Sequence, residues 1–344
     1  MDQPVKIKED VYWIGSVDPG LVVFDIVIPT KHGTTYNSYL VKGEKIAVID
    51  TVKSYCVDDF ISKIRSLVRP EDIDYIIINH TEPDHSGGLI RLMELAPKAI
   101  PVFSRSARTF VKNILHKEFD YKEVKTGDSI DLGGKVLKFI SAPFLHWPDT
   151  MFTYLETDKI LFPCDAFGSH YCSDKRFNDE LDSKEDAFAA YEFYYDTILR
   201  PFKKYVIDAL DSIKDIDMDI IAPSHGPILR ENLDKYINAY REWAGKTKKY
   251  PDKKKISVIY VSSYGSTQKM AESIYRGACQ PDTDVSLLNA AEIDMDSLLD
   301  EIDASDGIIL GTPTLNAKAP KPIFDIISSL VTLNIRGKAA AVFG

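Results

Sequence analysis

Asn79-His80-Thr81-Glu82-Pro83-Asp84-His85-Ser86-Gly87-Gly88 places four side chains that can bind a metal within six positions. They are His80, Glu82, Asp84 and His85, and they follow directly on the apolar residues 75–78. Such a run is typical of a buried strand, and polar groups at the end of a buried strand cost free energy unless they have partners. Two imidazoles with two carboxylates and no thiolate suit a harder, redox-active cation such as iron or manganese at least as well as zinc. The stretch therefore predicts a metal site at a strand end.

Three further candidate ligands occupy the same kind of position. They are His146, Asp165 and His225, and each follows an apolar run that predicts a strand. Taken singly, each histidine has an ordinary alternative as a hydrogen-bonded structural residue, and Asp165 has one as a turn residue. Because strand ends gather along one edge of a sheet, we expect all seven side chains to converge. Four histidines and three carboxylates are about what two metal ions bridged by one carboxylate require.

The composition is that of an ordinary globular protein with an acidic balance. Of the 344 residues, 44% are hydrophobic and 27% are charged, and the net charge is −10. This balance argues against binding to nucleic acid or to an anionic membrane, since both need clustered basic residues. No apolar run approaches about 18 residues, and the N-terminus has no apolar leader. The four cysteines lack C-x-x-C spacing, which argues against a disulfide scaffold or a thiolate metal site and favours a cytoplasmic protein.

The chain is longer than a typical single domain, so we expect two domains. Short strands mixed with helices occupy residues 1–245, and the polar, Lys-rich residues 246–255 predict a linker. The elements predicted in the first part are strands at 11–14, 35–41 and 45–50 and helices at 58–68 and 187–202. In residues 256–344, four apolar strands alternate with helices, which predicts a doubly wound parallel sheet. Since such a sheet normally has a fifth strand, we expect this domain to be incomplete, truncated after its fourth strand.

The pattern His80-x-Glu82-x-Asp84-His85, followed by His146, Asp165 and His225, resembles the metallo-β-lactamase fold and, more closely, the flavodiiron proteins. The similarity covers the N-terminal part, including Gly33-Thr34-Thr35-Tyr36-Asn37 and His146-Trp147-Pro148-Asp149. The resemblance implies an α/β protein, with a metallo-β-lactamase-like αββα sandwich followed by a flavodoxin-like domain. Zinc hydrolases of this fold usually carry His at the position of Glu82. The resemblance therefore implies two iron ions.

The same resemblance assigns each ligand. It implies that His80, Glu82 and His146 bind one iron, that Asp84, His85 and His225 bind the other, and that Asp165 bridges them. An anionic oxygen ligand at position 82 favours the higher oxidation state of iron. By family position, His170 and Tyr195 would line the substrate pocket, with Tyr194 as the alternative to Tyr195.

A second candidate site is Ser262-Ser263-Tyr264-Gly265-Ser266-Thr267, between a predicted strand and a predicted helix. Hydroxyl groups, backbone N–H groups and a helix N-terminus together form an anion cradle. The stretch lacks both G-x-x-x-x-G-K-[ST] and G-x-G-x-x-G, which argues against nucleotide triphosphates and dinucleotides. It is similar to the FMN-phosphate loop of flavodoxins, although an ordinary Ser/Gly helix cap is the alternative.

A third segment, Thr312-Pro313-Thr314-Leu315-Asn316, would by the same resemblance flank the flavin ring. Its alternative is an ordinary turn with Thr and Asn as capping residues. A further flavin-contacting loop would follow Gly344, so we expect FMN to be held weakly or not at all.

The resemblance implies an oxidoreductase that passes electrons through FMN to a diiron centre, where O₂ is reduced to water, NO to nitrous oxide, or both. The alternative is a dizinc hydrolase with a flavodoxin-like module, and a third possibility is an iron protein that receives no electrons from bound flavin. The implied partners are a separate rubredoxin-like or other electron donor and a second copy of the chain, in a head-to-tail homodimer or a dimer of dimers.

Overall fold

The computed structural model describes residues 3–116, 118–245 and 252–344. The chain divides after Ala244 into two compact units. Residues 246–251 of the predicted linker lie outside the described residues, and the first strand of the second unit begins at Lys254. Within the described ranges, no helix is both long and apolar enough to cross a membrane.

The first unit contains two mixed β-sheets with helices. Its strands are β1 Val5–Lys8, β2 Val11–Trp13, β3 Ser16–Asp18, β4 Val23–Phe24, β5 Ile28–Pro29, β6 Thr34–Tyr36, β7 Tyr39–Lys42, β8 Ile46–Ile49, β9 Ile73–Ile78, β10 Ile100–Ser104, β11 Lys122–Val124, β12 Ser129–Asp131, β13 Val136–Ser141, β14 Met151–Leu155, β15 Ile160–Phe162 and β16 Ile220–Ile221. Its helices are α1 Val57–Leu67, α2 Pro83–Ser86, α3 Leu89–Leu95, α4 Arg108–Leu115, α5 Lys184–Tyr194, α6 Lys203–Ile213 and α7 Leu233–Gly245.

The two large sheets face each other across an apolar core. One has the strand order β1-β2-β7-β8-β9-β10-β11 and the other β12-β13-β14-β15-β16. Residues of both sheets, such as Trp13 and Phe139, share one buried cluster between them. A second cluster joins the outer faces to the helices, for example through Phe60 of α1 and Leu210 of α6. This is the predicted αββα sandwich.

Strand β9 is the central element that leads to the first four candidate ligands. It pairs in parallel with β8 and β10, and Ile76, Ile77 and Ile78 are buried. A strand that is buried on both faces reads as a continuous apolar run. The sequence therefore already shows where β9 lies and where it ends.

Two predicted elements of the first unit differ from the structure. Residues 35–41 form β6 and β7, which belong to different sheets, because the amide of Asn37 at the bend bonds the carbonyl oxygens of Pro223 and Gly226. The predicted helix at 187–202 ends as α5 at Tyr194 and continues as a π-helical turn, Tyr195–Leu199, and a 3₁₀ turn, Arg200–Phe202. Pro201 lacks the N–H that a continuous α-helix needs at that position.

The second unit is a four-stranded parallel sheet with the order β18-β17-β19-β20. Its elements are β17 Lys254–Tyr260, α8 Ser266–Ala278, β18 Thr283–Asn289, α9 Met295–Ala304, β19 Gly307–Gly311, α10 Lys321–Ser329 and β20 Ala339–Phe343. Helix α8 packs with Val258 and Tyr260 of β17, whereas α9 and α10 share a cluster with Ile259. Alternate residues of β17 thus face helices on opposite sides, as in the predicted doubly wound sheet.

Candidate metal centre and flavin site

The seven predicted metal ligands come together at one edge of the sandwich. His80 and Glu82 follow β9, and α2 carries Asp84 and His85. His146, Asp165 and His225 follow β13, β15 and β16, respectively. His146 is partly buried with a side-chain exposure of 19%, and the other six residues are each at most 9% exposed. Strand ends that are distant in sequence therefore build a single buried cluster.

One group within the cluster consists of His80, Glu82, His146 and Asp165, whose ligand atoms all lie within 4.8 Å of one another. Oε2 of Glu82 is 3.2 Å from Nε2 of His80 and 3.0 Å from Nε2 of His146. Oδ2 of Asp165 is 3.6 Å and 3.5 Å from the same two nitrogens. The four donors thus surround one small volume.

A second group consists of Asp84, His85 and His225, and a further combination within the same limit of 4.8 Å joins His85 and Asp165 to Cys164. The carboxylate of Asp84 is 3.4 Å from Nε2 of His85 and 3.1 Å from Nε2 of His225. Oδ1 of Asp165 approaches these nitrogens to 3.0 Å and 3.5 Å. Asp165 therefore turns one oxygen to each group, which is the arrangement that a bridging carboxylate needs.

Several donor atoms of the cluster have no hydrogen-bond partner within the described ranges. They are both carboxylate oxygens of Asp84, both ring nitrogens of His85 and Oδ2 of Asp165. Buried polar atoms without partners are rare because each costs free energy. A cation supplies what all of these atoms lack at once, so the donor set fits a pair of metal ions.

Other side chains hold the ligands in place. Nδ1 of His80 lies 3.2 Å from Oδ1 of Asp149, whose other oxygen accepts hydrogen bonds from the backbone N–H and the hydroxyl of Thr81. Nδ1 of His225 donates to the carbonyl oxygen of Thr35 over 2.6 Å. Such contacts fix the ring orientation and leave Nε2 free for a metal.

The ionisable groups of the cluster change one another's pKa values. Burial opposes a charge on His80, but the hydrogen bonds with Asp149 and Glu82 outweigh it and raise the pKa of the imidazole to about 9. Burial likewise opposes ionisation of Glu82, but the hydrogen bonds with His146 and His80 outweigh it and lower the pKa of the carboxyl.

The predicted flavin loop lies at the start of α8. Gly265 precedes the helix with a φ of +84° and donates its N–H to Oγ of Ser262 over 3.0 Å. The first N–H groups of a helix have no acceptor within the helix, so they are available to an anion. Tyr264 beside them is 94% exposed. This loop fits the phosphate end of a flavin nucleotide. Its residues are Ser262, Ser263, Tyr264, Gly265, Ser266 and Thr267.

The third predicted segment lies at the same edge of the second sheet. Backbone hydrogen bonds join Val261 to Gly311 and Thr312 to Phe343. The segment therefore begins beside the end of β17, where the flavin loop also begins. It consists of Thr312, Pro313, Thr314, Leu315 and Asn316. Leu315 is 45% exposed, which leaves an apolar side chain available to a flat ring.

The matches to known protein families divide the chain in the same way as its two compact units. The model of the ODP family beta lactamases matches residues 34–226, and the flavodoxin model matches residues 258–344. The flavo-diiron protein FprA2 of Clostridium acetobutylicum is 42% identical over 350 residues, which cover 99% of this chain and 86% of that relative. The chain belongs to the flavodiiron proteins. The predicted metallo-β-lactamase-like and flavodoxin-like fold is thereby confirmed.

Two other similar proteins carry the names of a reductase and an oxidoreductase. The nitric oxide reductase of Moorella thermoacetica is 36% identical over 348 residues, which cover 100% of this chain and 86% of the relative. The solved structure of rubredoxin oxygen:oxidoreductase from Desulfovibrio gigas matches with a TM-score of 0.79 and 27% identity, covering 99% of this chain and 85% of that chain.

The two predicted pocket residues of this flavodiiron protein lie in different surroundings. The buried ring of His170 lies 5.4 Å from that of His225, between ring centroids. The ring of Tyr195 packs instead against Tyr240 and Trp243, each with a centroid distance of 5.1 Å. Its neighbour Tyr194 donates its hydroxyl to Oδ1 of Asp165 over 3.0 Å. Tyr194, rather than Tyr195, is therefore the tyrosine that contacts the seven candidate ligands.

Asp149 is the residue of this site to which the sequence analysis gave no role. It stands three positions after His146 in the quoted His146-Trp147-Pro148-Asp149, yet it contacts His80 rather than His146. A carboxylate close to a candidate ligand in sequence is a usable signal, since metal-binding histidines commonly donate their second N–H to a carboxylate.

Proposed function

We propose that this flavodiiron protein is an oxidoreductase that takes electrons through FMN to two iron ions and reduces O₂ to water, NO to nitrous oxide, or both. The observation that carries the proposal is the disposition of Asp165, which turns one oxygen to each of two groups of buried ligands. The reductase names of the Moorella and Desulfovibrio relatives support it. Reduction of a diatomic molecule needs metals that can change charge, whereas hydrolysis needs only a Lewis acid and an activated water.

The ligands divide between the two ions as the two groups do. His80, Glu82 and His146 would hold one iron, and the other would be held by Asp84, His85 and His225. Asp165 would bridge the two ions. Iron supplies the change of oxidation state and the place where a diatomic molecule binds. Glu82 would contribute an anionic oxygen where a hydrolase of this fold usually has an imidazole. Asp149 holds the orientation of the His80 ring, and the backbone carbonyl of Thr35 holds that of the His225 ring.

Two further polar side chains, Tyr194 and His170, lie next to the proposed ligands. Tyr194 donates its hydroxyl to the carboxylate of Asp165, so it stabilises the negative charge of that carboxylate. His170 is buried next to His225, and we assign it to the substrate pocket. Both side chains are positioned to shape and polarise the space in which a small molecule is bound.

In the second unit, the loop 262–267 would bind the FMN phosphate and the segment 312–316 would flank the ring. Tyr264 and Leu315 are exposed, so their side chains are available to pack against the two faces of the flat isoalloxazine ring. Titration of the purified protein with FMN, followed by flavin fluorescence, tests this assignment. Weak binding that approaches one flavin per chain at high FMN concentration is expected, and absence of binding contradicts the assignment of these two loops.

We further propose that the protein assembles with a second copy in a head-to-tail homodimer, alone or in a dimer of dimers, and receives electrons from a separate rubredoxin-like or other donor. The hairpin β4–β5 supports the assembly with a second copy, because its apolar side chains are exposed. Their exposed fractions lie between 42% and 94%, and the residues are Val22, Val23, Ile26 and Val27. Exposed apolar residues in one patch are typical of an interaction surface. Sedimentation of the purified protein tests the assembly, and a monomer at micromolar concentration contradicts it.

Metal analysis combined with anaerobic stopped-flow kinetics tests the activity. Two irons per chain and oxidation of the reduced protein by O₂ or NO are the expected results. Two zinc ions together with ester or thioester hydrolysis would instead show the dizinc hydrolase. Mixing the reduced, iron-loaded protein with each gas separately determines which of the two is the substrate.

A further inference from the structure

The side chain of Asn37 connects strand β2 to the turn that carries His225. Its Nδ2 donates to the carbonyl oxygens of Pro223 and Gly226, over 2.8 Å and 2.9 Å. Its Oδ1 accepts a hydrogen bond from the indole N–H of Trp13 over 2.8 Å. Because the indole only donates and the carbonyls only accept, these partners determine the orientation of the amide. Both N–H groups of this buried side chain thus bond the two ends of the turn.

The residues two positions before and after that asparagine contact the same turn. The hydroxyl of Thr35 accepts the N–H of Gly226 over 2.8 Å, and its carbonyl oxygen accepts the Nδ1–H of His225 over 2.6 Å. Tyr39 donates its hydroxyl to the carbonyl oxygen of Pro223 over 2.6 Å. All five residues are buried. Because a buried polar group that loses its partner costs free energy, these bonds hold the turn in one place.

The turn approaches its neighbours closely because it contains a glycine. Gly226 has a φ of +77°, and a Cβ placed there would lie 2.2 Å from Oγ of Ser169. The backbone N–H of Ser169 also donates to the carbonyl oxygen of His225 over 3.2 Å. This bond restrains the middle of the turn, whereas the amide of Asn37 spans the turn from end to end. Asn37 therefore sets the width of the turn.

His225 contributes to one of the two groups of metal ligands. Its Nε2 lies 3.1 Å from the carboxylate of Asp84 and 3.5 Å from Oδ1 of Asp165. The other group takes its donors from different parts of the chain, namely His80, Glu82, His146 and Asp165. A displacement of His225 would therefore affect one metal position and spare the other.

We propose that Asn37 is a positioning residue that fixes the turn 223–226 and thereby holds His225 at the metal position that it shares with Asp84 and His85. A ligand that is already held in place loses little conformational freedom when the metal binds, whereas a ligand on a loosened turn must first be ordered. The proposal rests on the proposed division of the ligands between two ions, but not on the reaction that the ions perform.

The variant Asn37→Asp tests this role on the full chain. It keeps the shape of the side chain and the acceptor for Trp13, but it loses both N–H donors, so Pro223 and Gly226 are no longer joined. We expect the affinity for one of the two metal ions to fall about 10-fold to 100-fold, and the affinity for the other to stay unchanged. Titration of the metal-free protein with Co²⁺ in competition with a chelator measures both affinities, since the absorption of bound Co²⁺ reports each binding step.

Two further variants show whether the effect acts through His225 and exceeds a general loss of stability. In His225→Ala, the addition of Asn37→Asp should cause no further change, because residues that act through one another are not additive. Asn178→Asp is the matched control. The buried amide of Asn178 donates to the carbonyl oxygen of Glu231 over 2.8 Å and accepts the N–H of Arg230 over 2.9 Å. Since neither partner is a candidate ligand, both metal affinities should stay unchanged in this variant.

Several results would overturn the proposal. They are equal weakening of both ions or no weakening in Asn37→Asp, an additive effect in the double variant, and the same selective loss in Asn178→Asp. A wild type that binds fewer than two ions overturns it together with the proposed division of the ligands. A wild type that binds two ions but reduces neither O₂ nor NO contradicts the proposed reaction, while the titration still decides the role of Asn37.

Discussion

At the scale of single residues, the proposed function depends most on Glu82, which we propose as an anionic oxygen ligand of iron. Replacing Glu82 with His exchanges an anionic donor for a neutral one, so the reduced state of the metal centre becomes relatively more stable. We expect the reduction potential of the iron bound by this residue to rise by about 60 mV or more, which corresponds to a tenfold change in a one-electron equilibrium. Potentiometric titration followed by EPR spectroscopy measures the shift.

The matched variant Glu82→Gln separates charge from ligand type. It keeps an oxygen donor but removes the negative charge, so it is expected to raise the potential in the same direction as Glu82→His. Potentials that stay at the wild-type value in both variants contradict the assignment of Glu82 as an iron ligand.

Asp149 allows a second test at this scale. Its carboxylate accepts from Thr81 and contacts Nδ1 of His80, and it is fully buried. We expect Asp149→Asn to lower the affinity for metal about 10-fold to 100-fold, because the ring of His80 loses the anion that orients it. Competition with a chelator of known affinity measures the change. Asp219→Asn removes a carboxylate that pairs with Lys8 at the surface, and it should leave the affinity unchanged.

At the scale of elements, the sequence shows the strands that are apolar throughout and misses the bends that depend on distant residues. The run that became β9 and the four ligands after it were predictable, because burial on both faces and the polar strand end are visible locally. The break between β6 and β7 was not. It depends on bonds from Asn37 to residues 186 and 189 positions away, and no local pattern records such contacts. Asp149 stands close to His146 in sequence, which marks it as a candidate, but its partner could not be predicted because His80 is 69 positions away.

The start of α8 is the element for which backbone conformation matters most to function. Gly265 has a φ of +84°, and a Cβ placed there would meet no atom within 4 Å. The cost of Gly265→Ala is therefore conformational and amounts to about 1 kcal/mol. We expect the affinity for FMN to fall about fivefold, measured by flavin titration. Gly277→Ala, also free of contacts but inside the helix, should leave FMN binding unchanged and stabilise the second unit by about 0.5–1 kcal/mol. Equal effects of the two substitutions would contradict the role of the Gly265 turn.

At the scale of the whole molecule, the two units offer separate signals for the same unfolding experiment. All three tryptophans, Trp13, Trp147 and Trp243, lie in the first unit, so tryptophan fluorescence follows that unit alone. Flavin fluorescence follows release of FMN from the second unit. The metal cluster and the flavin loop can therefore be perturbed and observed independently in the intact chain.

Removal of metal is expected to destabilise the first unit. Without a cation, the carboxylates and imidazoles of the cluster remain buried, and several of their atoms have no hydrogen-bond partner among the described residues. A metal present at about 1,000 times its dissociation constant stabilises the folded state by about 4 kcal/mol. Chelation should therefore lower the urea midpoint measured by tryptophan fluorescence, and re-addition of iron should restore it. Addition of FMN serves as the control, since it should raise the midpoint for flavin release and leave the tryptophan midpoint of the metal-free protein unchanged. A tryptophan midpoint that does not respond to metal would contradict the assignment of the seven residues as a metal centre.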